Sequence, residues 1–447
     1  MNYDLETIRS QFPALALTDK GQPRVYLDNP AGTQVPVQVI QRMSDYLIHC
    51  NANQGGTFKT SIESDLILEE AHQAMADLLN ARCSSEIIFG ANMTTLTYAI
   101  SRSLGKRFQK GGALLLTRMD HDGNVAPWLQ LAEDLGLEVR WLEFDLETYE
   151  YKLEMLDNLL EPGDVLLAAV NYSSNCLGTI NDIKTITEKV KSKGGLVYID
   201  AVQYVPHGIT DVQELGCDFL VCSPYKFFGP HQGVLWGNKE LLMELEAYKV
   251  RPAGDLPPGK FETGTLCHEA MAGTLGAVEY LEWFSETINS PDKEQTNRRQ
   301  KILSAMNSII LYEQKLCKKL ISGLQSLPGI KIRGITDPSA MDRRVPTVSF
   351  SVEGRHPDQL AKALGDKNIF VWSGHNYALE AVRVMGLLEK GGLVRVGPVH
   401  YNTEEEIENF LKNWNQASDF SFRSYNKFKY QYHITIWKDF IINILRN

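Results

Sequence analysis

GGLVYIDAVQYVPHG (194–208), followed by GCDFLVCSPYKFFGP (216–230), decides how this chain is read. Each contains a short run that is apolar throughout and ends in polar residues, Asp200 in one and Cys222-Ser223 in the other. A strand that is apolar on both faces must be covered on both faces, as strands of a parallel sheet are. Gln203 follows Asp200 by one turn, and Lys226 follows Ser223 in a Pro-bounded turn before Gly229-Pro230. Ligands of open α/β sheets sit outside the carboxyl ends of strands, so Asp200 and Lys226 both stand at such a mouth.

The same alternation extends outward in both directions. EIIFG (86–90), GALLLTR (112–118), EVRWLEF (138–144), DVLLAAV (164–170) and GVLWG (233–237) read as strands. Helical spacing appears in SIESDLILEEAHQAMADLLNA (61–81), from about Thr94, in WLQLAEDLG (128–136) and in IKTITEKVKSKG (183–194). Strands separated by helix-length segments imply right-handed crossovers. The expected fold class is therefore α/β, with a large, mostly parallel sheet carrying helices on both faces. That unit is drawn over 24–255, after an N-terminal segment, 1–23, expected to pack on a smaller domain. RPAGDLPPGKFETGT (251–265) reads as a connector. A long helix around 298–327, IKIRG, VPTVSFSV, PDQLAKALGD, IFVWSG, LVRVG and a closing helix from Thr403 then make a small α+β domain over 256–415. The last part, 416–447, is rich in aromatics, Lys and Ile; it is either an arm that touches a partner or an appended extension on the body.

Composition narrows the class. The chain has 447 residues, 43% hydrophobic and 22% charged, as in ordinary globular enzymes. Its net charge of −10 argues against a general nucleic-acid binder. No run approaches the roughly 20 apolar residues of a membrane helix. The start, MNYDLETIRSQFPAL, lacks a basic, apolar leader pattern. The seven cysteines are scattered with no CxxC pair, which fits reduced thiols in a cytoplasmic protein and neither a disulfide framework nor a metal site.

A carboxylate and a lysine at one strand mouth suit pyridoxal 5′-phosphate. The amine of Lys226 would form a Schiff base with its aldehyde, and Asp200 would keep the pyridine nitrogen protonated. A surface ion pair is the plain alternative. Other segments add to the first reading. Thr94 and Thr95 stand between a strand and a helix, where free N–H groups and two hydroxyls cradle a phosphate, although Thr is also an ordinary helix cap. His121 lies beyond another strand end, placed to stack on a flat ring or simply to be structural. Asn175 stands at a third mouth, able to donate to a ring oxygen.

Taken together, YLDNPAGTQVP (26–36), the Thr94-Thr95 turn, HDGN (121–124), NCLGT (175–179), DAVQ (200–203), SPYKFFGP (223–230), FETGT (261–265) and LVRVGPVHYNT (393–403) resemble fold-type I enzymes of the class V aminotransferase family. The likeness covers about 26–411 and is to the branch of cysteine desulfurases and selenocysteine lyases. It implies that Lys226 carries the Schiff base and moves the α-proton. Asp200 would pair with the pyridine nitrogen, His121 stack on the ring, and Asn175 and Gln203 approach its hydroxyl. Thr94, Thr95 and Ser223 would hold the phosphate, with Tyr225 beside them where the family usually has His. Thr265 would reach the phosphate of a neighbouring subunit, which implies a homodimer. Arg395 would grip the substrate carboxylate, with Asn175 and His375 also against the substrate.

One departure bears on the reaction. The desulfurase loop carries a nucleophilic cysteine, whereas VWSGHNYALEAV (371–382) has Tyr377 there and Trp372 in place of an arginine. A phenol with pKa near 10 is no soft sulfur nucleophile. Cys176, Cys222 and Cys267 neighbour site segments, and buried filler is the expected role of each. The resemblance then implies a desulfurase-like enzyme acting on a small amino acid, most simply by C–S cleavage, with any sulfur acceptor unspecified. The alternatives are an aminotransferase or epimerase, and a non-catalytic scaffold that keeps the fold.

Overall fold

A computed structural model describes residues 4–108, 111–288 and 297–418, with side chains described as far as 414. Most of the expected C-terminal extension, 419–447, lies outside the described residues.

Seven strands form the main sheet: β1 (Ile87–Gly90), β2 (Ala113–Thr117), β3 (Glu138–Leu142), β4 (Val165–Asn171), β5 (Leu196–Asp200), β6 (Phe219–Cys222) and β7 (Gly233–Gly237). Their order is β1-β7-β6-β5-β4-β2-β3. The pairs from β6 through β3 are parallel. Strand β7 returns antiparallel between β6 and β1, because a short turn after Lys226 leaves no length for a crossover. Strands β2, β6 and β7 are buried along their whole length, whereas β3, at the edge, is largely accessible. That difference explains why GALLLTR reads as uniformly apolar and EVRWLEF does not.

Helices on both faces divide the apolar residues of the sheet between two core clusters. The crossover between β4 and β5 is α-helix Ile183–Ser192. Asp182 caps it by accepting from Thr185 N at 3.1 Å, and Lys189 and Lys191 complement its C-terminal dipole. Because β4, β5 and β6 run parallel, Asn171, Asp200 and Cys222 end at one edge, with Asn171 in register with Asp200.

The smaller sheet is antiparallel, made of β8 (Ile330–Arg333), β9 (Val348–Val352), β10 (Trp372–Gly374) and β11 (Leu393–Val396) in the order β8-β9-β11-β10. Val348, Phe350, Val394 and Val396 pack against helices Pro357–Gly365 and Glu404–Ser418 and the end of the long helix Arg298–Gln325.

The packing partitions the chain differently from a boundary at 256. Helix His268–Ile288 buries Met271, Leu275, Val278, Leu281 and Phe284 in the core of the large sheet. The long helix then contributes Ile302, Met306 and Ile309 to that core, and Leu316, Leu320 and Leu324 to the small one. The Pro/Gly-rich stretch is thus an excursion within the large unit, and the cores meet inside a helix. Composition marks loops, but a buried helix that is apolar nearly all round looks alike on either side of a boundary. The N-terminal segment touches both units: Ile8 and Phe12 lie in the large core, while Arg9 donates to the Tyr401 carbonyl at 2.6 Å and pairs with Glu406 at 3.0 Å.

No helix among the described residues is long and apolar enough to cross a membrane, and no cluster of His, Cys, Asp and Glu there could hold a metal ion.

Candidate functional site

The carboxyl ends of β4, β5 and β6 open into a cavity of about 110 Å³. Thr94, His121, Asn175, Asp200, Gln203, Ser223, Tyr225 and Lys226 all line it. Five segments that are distant in sequence therefore meet where the parallel sheet ends.

Lys226 sits in a short 3-10 turn whose first residue, Pro224, is suited to that position. Its amine is buried and donates to the Pro30 carbonyl, within the YLDNPAG stretch. Burial pushes the Lys226 pKa down to about 7, the Arg395 charge adds to the effect, and Asp200 opposes it. Asp200 is buried too, and burial raises its pKa to about 6 against a hydrogen bond from Val202 N at 2.9 Å and the nearby Lys226. Behind it, Asp120 is fully buried and held by Thr117 and by Asn124 Nδ2 at 2.7 Å. Burial pushes its pKa well up, and Asp200 adds to that shift.

His121 caps a 3-10 turn through Nδ1, which accepts from Gly123 N at 2.9 Å. Burial pushes its pKa down to about 3, helped by Lys226, Arg395 and His375. It is therefore neutral, and the hydrogen bond at Nδ1 leaves the proton on Nε2. Ser223 is fully buried at the end of β6, and its Oγ has no partner. Gln203 donates to Thr347 Oγ1 at 3.1 Å while its Oε1 is unpartnered. Tyr225 lies flat on His231, with centroids 5.0 Å apart and an interplanar angle of 11°.

Arg395, on β11, is buried just behind the lining. Its Nη1 donates to the Asn175 carbonyl at 2.9 Å and its Nε has no partner. Burial lowers its pKa to about 10. Asp28 lies close enough for the guanidinium to oppose the rise to about 6 that burial imposes on its carboxyl.

The loop after β10 closes over this mouth. Asn175 Nδ2 donates to the Asn376 carbonyl at 2.8 Å, and Asp122 N donates to the Tyr377 carbonyl at 2.7 Å. Asn376 and Tyr377 both have positive φ, 52° and 56°, a conformation that few non-glycine residues adopt and that clusters at functional loops. The Tyr377 ring stacks on His121, with centroids 5.3 Å apart and an interplanar angle of 21°. His375 is exposed, its Nδ1 accepts from Tyr377 N at 3.0 Å, and its ring meets Tyr377 edge-on.

Besides Arg395 and His375, two more expected residues are not in the cavity lining. Thr95 is exposed, and its N–H and hydroxyl are both taken up by Asn92 at 2.9 Å, so Thr94 alone of the pair lines the cavity. Thr265 is exposed in the loop before helix His268–Ile288. Cys176 and Cys222 are buried, with the Cys176 thiol pushed up to about 11, but Cys267 is exposed rather than buried filler. Asn92, Asn171 and Ser173 line the cavity and were not singled out from the sequence. Asn171 ends β4, so the strand-mouth rule that found Asp200 applies to it equally.

A model of the aminotransferase class-V family matches residues 25–410. An aminotransferase-like protein of Gibberella zeae is 34% identical over 419 residues, which cover 92% of this chain and 97% of the relative. A cysteine desulfurase of Serratia proteamaculans is 30% identical, with the same coverage of both chains. Among solved structures, the apo cysteine desulfurase from Thermococcus onnurineus NA1 superposes with a TM-score of 0.80 at 27% identity, over 92% of this chain and 97% of that one. Strand order, strand-end chemistry and the extent of these matches lead to one conclusion: the chain belongs to the class-V aminotransferase family.

Proposed function

We propose that this protein is a pyridoxal 5′-phosphate enzyme acting on a small L-amino acid, most simply by C–S bond cleavage of cysteine or cystine. Class-V aminotransferases use this cofactor, and the cavity fits it. Ser173 Oγ, Asn175 Oδ1, Gln203 Oε1 and Ser223 Oγ are buried, unpartnered and carried by residues lining one cavity. Buried polar atoms nearly always have partners, so a polar ligand accounts for all four together.

The observation that carries the proposal is the buried Lys226, which lines the same cavity as Asp200 and has a pKa lowered to about 7. Such an amine is about half unprotonated at neutrality, against a trace for an ordinary lysine, and is both nucleophile and base. When bound, the cofactor supplies an electron sink for the α-carbon. The chain's own groups do the rest. Asp200 would take the ring N–H, whose positive charge relieves the cost of the buried carboxylate. His121, neutral, would lie against the ring face, and Asn175 and Gln203 would meet its hydroxyl. Ser223, Thr94 and Tyr225 would hold the phosphate, joined by Thr265 of a second copy in a homodimer. Arg395 would bind the substrate carboxylate with a planar fork that lysine lacks. Lys226 Nζ would remove the α-proton and return it.

The fate of sulfur turns on position 377. With Tyr377 stacked on His121, no thiolate stands on the loop to take sulfur as a persulfide. Elimination is the route these residues allow: the Cβ–S bond breaks, sulfide leaves from cysteine or cysteine persulfide from cystine, and hydrolysis of the remainder gives pyruvate and ammonia. Tyr377 also favours a second reading, transamination or epimerisation, because an enzyme without the sulfur nucleophile still moves the α-proton. Incubation with cysteine, cystine and alanine, assaying sulfide, persulfide, ammonia and keto acid, separates the two: keto acid without ammonia, or racemised alanine, with neither sulfide nor persulfide selects the second. A Lys226→Ala protein that keeps a borohydride-sensitive colour would exclude both. Seven unpaired cysteines fit a reducing compartment, and we place the protein in the cytoplasm on that ground.

A further inference from the structure

Two carboxyls are buried behind the strand ends, Asp200 at the end of β5 and Asp120 three residues beyond the end of β2. Asp200 lines the cavity of Lys226, Asp120 does not, and the reaction proposed above gives Asp120 no role. The Asp200 charge acts on Asp120, so ionising both in one dry region is costly. Which of the two keeps a proton is decided by the hydrogen bonds around Asp120.

Those bonds can be followed from both ends. Asn171 Nδ2 donates to the Met119 carbonyl at 3.0 Å, which turns Asn171 Oδ1 toward Tyr151 and Asn181. A carbonyl oxygen only accepts, so the Tyr151 hydroxyl, 2.5 Å away, spends its one proton on Asn171. The Thr117 hydroxyl, 2.6 Å from Tyr151, must then give its own proton to the Tyr151 oxygen. Thr117 also touches Asp120 Oδ2, and with no proton left it can only accept there. The proton of that last contact therefore belongs to Asp120. On the other side the Trp128 indole, a donor only, holds Asn124 Oδ1 at 3.1 Å, so Asn124 Nδ2 donates to Asp120 Oδ1 at 2.7 Å. Oδ1 accepts and Oδ2 donates, which is the pattern of a neutral acid. Thr117, Asn124, Tyr151 and Asn171 are buried with it, and among the described residues Asp120 has no ion-pair partner. The titratable groups acting on it, Asp200 and Tyr151, offer no positive charge.

We propose that Asp120 is a positioning residue held as a neutral carboxylic acid: it anchors the Thr117–Tyr151–Asn171 chain against the cavity wall and leaves Asp200 as the carboxylate that takes the ring N–H. The consequence for Asp200 rests on the cofactor reading above; the proton on Asp120 does not. Infrared difference spectra of the full chain, wild type minus Asp120→Asn at about pH 8, with and without pyridoxal 5′-phosphate, test it. Ordinary aspartates are ionised there, so a protonated-carboxyl C=O stretch present in wild type and missing from the variant belongs to Asp120. Affinity for pyridoxal 5′-phosphate supplies a second readout. Asp120→Ala unties Thr117 and, through it, the hydroxyl on Asn171, and should weaken binding about tenfold, as for a buried polar group left unpaired. Asp120→Asn, whose amide donates to Thr117 and accepts from Asn124 as the acid does, should restore binding to within about twofold of wild type. Should Asp120→Ala fail to fold, the band and Asp120→Asn decide by themselves. A wild type without the band, a band that survives in Asp120→Asn, Asp120→Ala binding as wild type does, or Asp120→Asn binding as weakly as Asp120→Ala would each overturn the proposal. A chain that takes up no cofactor would instead sink the function proposed above and leave the infrared result standing.

Discussion

The strand mouths of the large sheet and the loop after β10 meet at one site, yet they differ in kind. On the first side the residues expected of the family stand where the parallel sheet ends, from Asn175 through Asp200 and Ser223 to Lys226. On the second, Trp372 and Tyr377 stand where the resemblance implies an arginine and a cysteine, and the loop is pinned by Asn175 and Asp122 with its own backbone in an uncommon conformation. The comparison separates two tasks. Cofactor chemistry depends on groups fixed to a rigid sheet, whereas the choice of what leaves the substrate belongs to a loop that can change residue by residue.

The sharpest way to break this division is on the cofactor side. Lys226→Ala should lose turnover by about 10⁴-fold or more, since base catalysis and cofactor attachment go together, and should bleach the holoprotein. Asp200→Asn should cost on the order of 10²–10³-fold in kcat, as loss of a preorganised charge does. Arg395→Lys should act mainly on KM, raising it about tenfold to a hundredfold as one arm of the fork is lost. The loop should respond least. Tyr377→Ala removes an aromatic stack of about 0.5–1.5 kcal/mol, which predicts at most about a tenfold change in cofactor affinity with the fold intact. A loss from Tyr377→Ala as large as that from Lys226→Ala would overturn the division.

The pH dependence sharpens the same contrast. The folded Lys226 pKa, about 7, lies below the ordinary lysine value, so the amine sheds its proton within the neutral range. Cofactor uptake by the cofactor-free protein should therefore rise as pH increases through about 7 and level off above it. Asp200 partly offsets the downward shift, so the midpoint in Asp200→Asn should move to lower pH. Stopped-flow absorbance would measure both, and a pH-independent uptake rate would contradict the burial of the amine.

Much of the cofactor side was legible because it depends on local rules. An apolar strand ending in a polar residue announces a mouth; Asp200 and Ser223 follow that pattern, and Asn175 lies in the turn four residues beyond the end of β4. Thr95 misled because a Thr-Thr pair at a helix start reads the same whether it holds a phosphate or completes a cap. Asn92, three residues earlier, settles that by binding both Thr95 groups. The boundary at 256 misled because Pro and Gly mark a loop wherever it runs, even over the surface of the unit it seems to end. Asn171 obeys the strand-end rule as well, and the parallel register sets it beside Asp200.

That strands and helices alternate into a mostly parallel sheet, with Asp200 and Lys226 at strand ends, could be read from the chain alone, since hydrophobic period and turn chemistry are properties of short segments. The tertiary structure alone decided that the Arg395 guanidinium reaches the Asn175 carbonyl, that Tyr377 lies on His121, and that the Lys226 amine is stripped of water. Each of these joins residues far apart in sequence. Burial and electrostatic potential are sums over every segment that closes around a group, and no single stretch of sequence contains them.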